Sequence, residues 1–256
     1  MAEPHLSLEG KVALVTGGSR GIGKATALGF ARAGADVVVT SRKLPDLEQV
    51  AEEVKGLGRK SLAIATHVAK LEEINNLVCR VSEEFGRIDI LVNNAGGSPT
   101  IMSAIDVDER FWDAVMNLNL KGLYFLSQAV ARVMREHGGG KIINVASIDA
   151  FKPELIANVY SIAKAGVVMA TKVMALEWAQ YNIRVNAIAP GNVHTRIGDS
   201  RFVLFPEYEK EMLDRTPMKR IADPDEIVGA MIYLASDASS FVTGETLVVD
   251  GGILLT

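Results

Sequence analysis

The stretch from residue 12 to residue 43, VALVTGGSRGIGKATALGFARAGADVVVTSRK, decides the fold. An apolar run, Val12 to Thr16, meets Gly17, Gly21 and Gly23, passes into a segment of helical period, Gly23 to Ala33, and returns as a second apolar run, Val37 to Ser41. Strand, glycine turn, helix and strand over roughly thirty residues make a βαβ unit, which implies a parallel sheet. The alternation continues along the chain. Further strands read at Ser61 to Ala65, Ile88 to Val92, Lys141 to Val145, Arg184 to Ala189 and Thr246 to Val249. Between them, helices read at Leu47 to Leu57, Leu71 to Phe85, Asp108 to Glu136, Val159 to Ala179 and Asp225 to Ser236. Most strands are unbroken Val, Ile, Leu and Ala, as strands covered on both faces should be. The expectation is an α/β fold: one doubly wound Rossmann-type domain over residues 1–256, with a seven-stranded parallel sheet and helices on both faces. Residues 1–9 are expected to be flexible.

Composition narrows the function. With 256 residues, 48% hydrophobic and 23% charged, the chain can bury a large core in one domain. A net charge of −4 supplies no basic footprint for nucleic acid. The opening MAEPHLSLEG has no basic segment followed by an apolar run, and no stretch reads as the ~20 apolar residues of a membrane span, so a cytoplasmic protein is expected. Cys79 is the single cysteine, which excludes an internal disulfide and a cysteine-based zinc cluster. It reads as a buried apolar residue, and no metal site is expected.

The glycine spacing, Gly-x-x-x-Gly-x-Gly from Gly17 to Gly23, lets backbone approach a pyrophosphate at the amino terminus of a helix. Ser19 and Ile22 would add polar and backbone contacts. At the end of the second strand, where an acidic residue would receive the ribose hydroxyls of NAD, stand Ser41 and Arg42, with Arg20 in the loop nearby. Guanidinium groups welcome a 2′-phosphate that a carboxylate would repel, so NADP(H) is expected in preference to NAD(H).

Downstream lies YSIAK, with Tyr160 thirteen residues after Ser147 and Lys164 four after Tyr160. Residues four apart share a helix face, so phenol and ammonium can meet. A phenol titrates near ~10 and needs a cation beside it to exchange protons at neutral pH; Lys164 supplies one.

TGGSRGIG, NNAG at Asn93 to Gly96, Asn119 in NLNLKG, Ser147, YSIAK, and Pro190 with Gly191 occur in one order. In this the chain resembles the short-chain dehydrogenase/reductase family over nearly its whole length. The resemblance implies a tetrad: Tyr160 as general acid, Ser147 polarising the carbonyl oxygen, Lys164 on the nicotinamide ribose, and Asn119 fixing a water in a proton relay. It implies cofactor contacts at Gly17, Ser19, Arg20, Gly21, Ile22, Gly23, Ser41, Arg42, His67, Val68, Asn94, Ala95 and Gly96. Tyr160, Lys164, Pro190, Gly191, Val193 and Thr195 complete that set at the nicotinamide end. Asn93, with Ala95 and Gly96, would form the turn beside the adenosine, and Asp89 would be structural. His67 stands where the family commonly has an acidic residue facing adenine, and a ring nitrogen could take over that contact. Residues 195–221 would form a substrate lid carrying Phe202, Val203, Leu204, Phe205, Tyr208 and Met212, with Asp149, Phe151 and Asn192 lining the same pocket.

Within the family the chain looks like 3-oxoacyl-[acyl-carrier-protein] reductases and NADPH-dependent carbonyl reductases. Arg132 matches one carrier-docking arginine, but Leu176 occupies the other position. The implied activity is reduction of a ketone, a 3-oxoacyl thioester or another carbonyl compound, by NADPH. A polyol, sugar or secondary-alcohol dehydrogenase is the alternative, and a non-catalytic dinucleotide sensor the alternative of another class. A homotetramer is implied, and the apolar residues Val167, Val168, Met169, Val173, Met174 and Trp178 are consistent with an interface.

Overall fold

The computed structural model describes residues 6–98, 100–155, 157–195 and 206–256. Seven parallel strands form one sheet: β1 Val12–Thr16, β2 Asp36–Ser41, β3 Ser61–Ala65, β4 Ile90–Asn93, β5 Gly140–Val145, β6 Ile183–Pro190 and β7 Thr246–Val249. Their spatial order is β3-β2-β1-β4-β5-β6-β7, so the chain winds outward from β1 to β3 and then restarts at β4 in the other direction. The loops leaving β1 and β4 therefore diverge and open a crevice at the carboxyl ends of the strands.

Alternation along each strand feeds two cores. On one face Ala13, Val15, Val37, Val39, Ile90 and Val92 pack under α1 (Gly21–Arg32), α2 (Leu44–Gly56) and the carboxy-terminal helix Asp225–Ala235. On the other, Leu14, Val38, Leu91 and Ile142 pack under α3 (Leu71–Phe85), whose buried Ile74, Leu77 and Val81 recur at helical spacing, and under the long helices that follow. Tertiary packing of these stripes, more than helix propensity, holds the helices.

Asp89 is structural, as expected. It is buried, and its carboxylate accepts hydrogen bonds from the Val12 N–H and the Arg87 guanidinium, each at 2.9 Å, closing the start of β1 against β4. Of the terminal stretch expected to be flexible, residues 1–5 lie outside the described residues; Leu8 is buried and its N–H donates to the Ala33 carbonyl. Cys79 is exposed, with its thiol on the Glu83 carboxylate, and not buried as its composition class suggested.

The helix expected over residues 108–136 is not continuous. It consists of α4 (Glu109–Met116), capped by the Asp108 carboxylate on the Phe111 N–H, a π-helical turn at Asn117–Lys121, and α5 (Gly122–Glu136). The turn widens where the Asn119 amide reaches back to the Val115 carbonyl and where Gly122 lies against the Val68 carbonyl too closely for any side chain.

The helix α6 (Asn158–Trp178) carries YSIAK. Contrary to the expectation that no stretch reads as a membrane span, it is, with its following turn, long and apolar enough by those criteria alone to cross one. It packs against the sheet, burying Val159, Ala163, Val167, Ala170 and Met174. A further helix, α7 (Pro206–Arg215), lies in the segment read as a lid, and the carboxy-terminal helix Asp225–Ala235 is α8.

Candidate active site

A cavity of about 580 Å³ opens at the carboxyl ends of β1, β2, β4, β5 and β6. At its centre the glycine loop is locked to the turn after β4 by one threonine. Thr16 Oγ1 accepts from the main-chain N–H groups of Asn94 (3.0 Å) and Ala95 (2.9 Å), and donates to the Val92 carbonyl. The Asn94 amide returns the contact, donating to the carbonyls of Thr16 (2.9 Å) and Gly17 (3.2 Å). Gly17 has φ of 64°, and a Cβ there would stand 2.7 Å from Asn94 Nδ2; a Cβ at Gly23 would collide with the Gly17 carbonyl. Both positions therefore require glycine. Thr16→Val keeps the volume but strands two partly buried N–H groups, so we expect it to cost about 1–3 kcal/mol in urea unfolding and to weaken dinucleotide binding; an unchanged midpoint would contradict the lock.

The amino terminus of α1 has no acidic residue in its first turn and no side-chain cap, leaving its positive end toward the cavity. Ser19, Arg20, Gly21 and Ile22 line it, as expected, and so do Ser41 and Arg42. Lys43 and Asp46 join this rim, giving, among the described residues, three cations to one carboxylate. Gly23 does not line the cavity; it permits the close packing of α1 on the loop. Val68, Ala95 and Gly96 line the next wall together with Gly97 and Ser98. His67 does too, but its Nδ1 accepts from the Ala69 N–H (3.3 Å), and its main-chain N–H donates to the Glu73 carboxylate (2.6 Å), a bond that lowers the Glu73 pKa.

Asn93 does not form the turn beside the adenosine that the resemblance implies. It is buried, and its amide donates into the interior, to Ser127 Oγ (2.8 Å) and Asn144 Oδ1 (2.9 Å), while Asn144 continues to Thr171 (2.9 Å). It ties β4 to β5 and α5, and Asn94 faces the cavity instead.

At the far end, Ser147, Tyr160 and Lys164 converge on the cavity. Ser147 follows β5 and its hydroxyl accepts from the Asp149 N–H at 3.1 Å. On α6, Lys164 Nζ lies 5.4 Å from the centre of the Tyr160 ring and donates to the Val145 carbonyl at 2.7 Å. Burial is nearly complete at Lys164 and pushes its pKa down to about 8, against a smaller opposing pull from Asp149. Asn119 does not line the cavity. Its Oδ1 accepts from the Gly97 N–H, and its Nδ2 donates to the carbonyls of Gly97 and Val115, all at 2.8 Å. A Cβ on Gly96 would stand 2.8 Å from Asn119 Oδ1 and 3.2 Å from Lys164 Nζ, so the Asn119 amide holds the loop that roofs the lysine.

Pro190, Gly191, Val193 and Thr195 line the side opposite, and Thr195 approaches Gly21 to close the cavity over the start of α1. Asp149, Asn192, Tyr208 and Met212 line the end beyond Tyr160, as expected. Phe151 does not: it is exposed outside the cavity. Phe202 to Phe205 lie outside the described residues. Glu154 also faces the cavity, and sequence reasoning missed it because its partner, Arg215, is 61 residues away.

A glycine cradle at the switch point of a parallel sheet, facing a half-buried tyrosine beside a buried lysine, defines a nicotinamide-dinucleotide oxidoreductase. The chain belongs to the short-chain dehydrogenase/reductase family. A family model described as enoyl-(acyl carrier protein) reductase matches residues 17–254. The chain is 44% identical over 97% of its own length and 97% of the relative's to 2-dehydro-3-deoxy-D-gluconate 5-dehydrogenase of Escherichia coli (strain K12). It is 39% identical over 98% of its length and 100% of the relative's to the 3-oxoacyl-[acyl-carrier-protein] reductase FabG of Thermotoga maritima. Among solved structures, a gluconate 5-dehydrogenase from Burkholderia cenocepacia J2315 in complex with NADP and tartrate superposes with a TM-score of 0.94 at 36% identity, covering 99% of this chain and 98% of that one.

Proposed function

We propose that this protein interconverts a ketone and a secondary alcohol on a polyhydroxylated, gluconate-like substrate, with NADP(H) as the dinucleotide. The observation that carries the reaction class is the buried Lys164 beside Tyr160 at the cavity wall. The cavity lined by Gly17, Ser19, Gly21 and Ile22 opens on the uncapped amino terminus of α1, so the residues present fit a pyrophosphate and with it a dinucleotide; bound there, the reduced nicotinamide would supply hydride. Arg20, Arg42 and Lys43 would hold the 2′-phosphate. Tyr160 would give its proton to the carbonyl oxygen, Ser147 would orient that oxygen, and Lys164 would hold the nicotinamide ribose and supply the positive charge that favours the phenolate. Asn119 would serve through the loop it holds over Lys164.

The resemblance to 3-oxoacyl reductases implies a 3-oxoacyl thioester as the first candidate substrate. The relatives named for gluconate and 2-dehydro-3-deoxy-D-gluconate dehydrogenation support the sugar alternative at least as well. So does a substrate end that carries Asp149, Glu154, Asn192 and Tyr208 where an acyl chain would need apolar walls. The acyl-carrier reading keeps Arg132 but meets an 83% exposed Leu176 at the second docking position. A cytoplasmic homotetramer belongs to the same proposal, supported by exposed Met169, Val173 and Leu176 on α6; Val167 and Met174, counted toward that surface from sequence, are core.

The test is steady-state oxidation of NADPH, with NADH in parallel, against 5-keto-D-gluconate, acetoacetyl-CoA and 1-phenyl-1,2-propanedione. We expect 5-keto-D-gluconate with NADPH to give the highest kcat/KM. Preference for the thioester would restore the acyl reading, and preference for NADH would overturn the role given to Arg42.

A further inference from the structure

Among the described residues, the substrate end of the cavity carries two carboxylates, Asp149 and Glu154, and Glu154 is the one held in place by an ion pair. Glu154 lies in the loop between Ser147 and α6, with its side chain 15% exposed and facing the cavity. Behind it Arg215, the last residue of α7, grips the carboxylate with two nitrogens, Nη2 on Oε1 at 3.0 Å and Nη1 on Oε2 at 3.4 Å. Arg215 does not itself line the cavity; it is braced from the other side by Glu211 at 3.4 Å, and its carbonyl receives the Thr256 hydroxyl at 3.0 Å. Met212 of α7 packs with Ile148 and Ile253, so α7 and the catalytic loop are joined by an apolar contact as well as by the ion pair.

A carboxylate offers about four lone-pair positions, and a guanidinium fork takes one on each oxygen. The remaining pair on each oxygen needs donors. Water supplies them while the cavity is open, but a substrate that fills it must replace them or leave a carboxylate desolvated on one side. Adjacent hydroxyls on a carbon chain are such donors; a methylene chain or an aryl ring is not. Sites built around hydrogen bonds to a substrate hydroxyl reject analogues lacking it far more strongly than apolar pockets reject an added group.

We propose that Glu154, positioned by Arg215, is a specificity-determining residue that accepts hydrogen bonds from the hydroxyls flanking the reacting carbon and so selects polyhydroxylated over apolar carbonyl substrates. This rests on the polyhydroxy substrate proposed above. An ion pair that merely stapled α7 to the catalytic loop would affect every substrate alike, which separates the two roles.

Reduction of 5-keto-D-gluconate and of 1-phenyl-1,2-propanedione by NADPH is compared in the wild-type protein, in Glu154→Gln, and in the double variant Glu154→Leu with Arg215→Met, which leaves no charge unpaired in the cavity wall and releases only the solvent-exposed Glu211. The double variant is expected to lose about 30-fold or more in kcat/KM on 5-keto-D-gluconate, mostly through KM, while the diketone stays within about twofold of wild type or improves. Glu154→Gln, whose amide oxygen still accepts, is expected to retain the ketogluconate activity within about fivefold. An equal loss on both substrates accompanied by a fall in Tm identifies a staple and overturns the proposal. So does an unchanged KM for 5-keto-D-gluconate in a double variant that folds normally. A wild-type protein that reduces the diketone and not the ketogluconate instead overturns the proposed function, and this assignment with it.

Discussion

Tyr160→Phe should lower kcat by about 10³-fold or more while leaving NADPH binding, followed by quenching or transfer of cofactor fluorescence, within about twofold of wild type. Only the hydroxyl is removed. The ring packs beside a small cluster of Phe111, Val115, Val159 and Ala163, and phenylalanine fills the same space, so the fold and the Tm should be preserved. On the proposed mechanism, what disappears is the proton that reaches the carbonyl oxygen as hydride arrives. A variant that kept more than about a tenth of the wild-type turnover would remove Tyr160 from the role of general acid and reopen the possibility of a sensor with residual activity.

Replacing Lys164 should trade activity for stability. Its ammonium is buried, and its pKa is lowered from 10.5 to about 8 chiefly by desolvation. The sign follows directly. Below about 8 both the folded and the unfolded chain carry the proton, and the folded state bears the whole cost of burying the charge. Between about 8 and 10.5 the unfolded chain holds a proton that the folded one has released, so the contribution of this residue to stability rises with pH across that window. The cost at neutral pH is roughly 3 kcal/mol, at about 1.36 kcal/mol per pH unit. Lys164→Met removes it but leaves the Val145 carbonyl without its donor, returning about 1 kcal/mol or more. The net expectation is a variant about 1–2 kcal/mol more stable than wild type at pH 7, with the advantage shrinking toward pH 10, and with kcat reduced by about 10³-fold. Urea unfolding at pH 7, 8, 9 and 10 measures the difference. A variant less stable than wild type at pH 7, or an advantage that grows with pH, would show that the lysine is not held against its desolvation cost.

A functional site that is costly to fold is consistent with the rest of the cavity. Gly17 has a positive φ, Gly23 and Gly96 admit no side chain, and the π turn at Asn117–Lys121 breaks an otherwise continuous helix. Such departures from regular structure persist where surrounding contacts over-determine them. Here the contacts are named: Thr16 on two backbone N–H groups, and Asn119 on Gly97 and Val115.

The sequence by itself determined what short-range order determines. Apolar runs between glycines and helical stripes set the strands and the parallel sheet; the glycine spacing placed a cradle at the start of α1; and four-residue separation put Tyr160 and Lys164 on one face of α6. The remaining features depend on contacts far apart in the chain or on a single step past a strand end. Asn93 and Asn94 are neighbours of the same type, yet one points into the core and the other faces the cavity, because Asn93 ends β4 with its amide on Ser127 and Asn144 while Asn94 begins the loop that is held against the glycine turn. Asp108 to Glu136 has helical period throughout, and periodicity does not register the Asn119 side chain bonding across to Gly97. Glu154 and Arg215 carry no local signal of each other at a separation of 61 residues, and their meeting requires α7 to return over the catalytic loop. The depressed pKa of Lys164 is of the same kind: the residue was legible, but desolvation belongs to the packed molecule, since only the elements brought around it exclude the water that would otherwise keep its charge at the ordinary value.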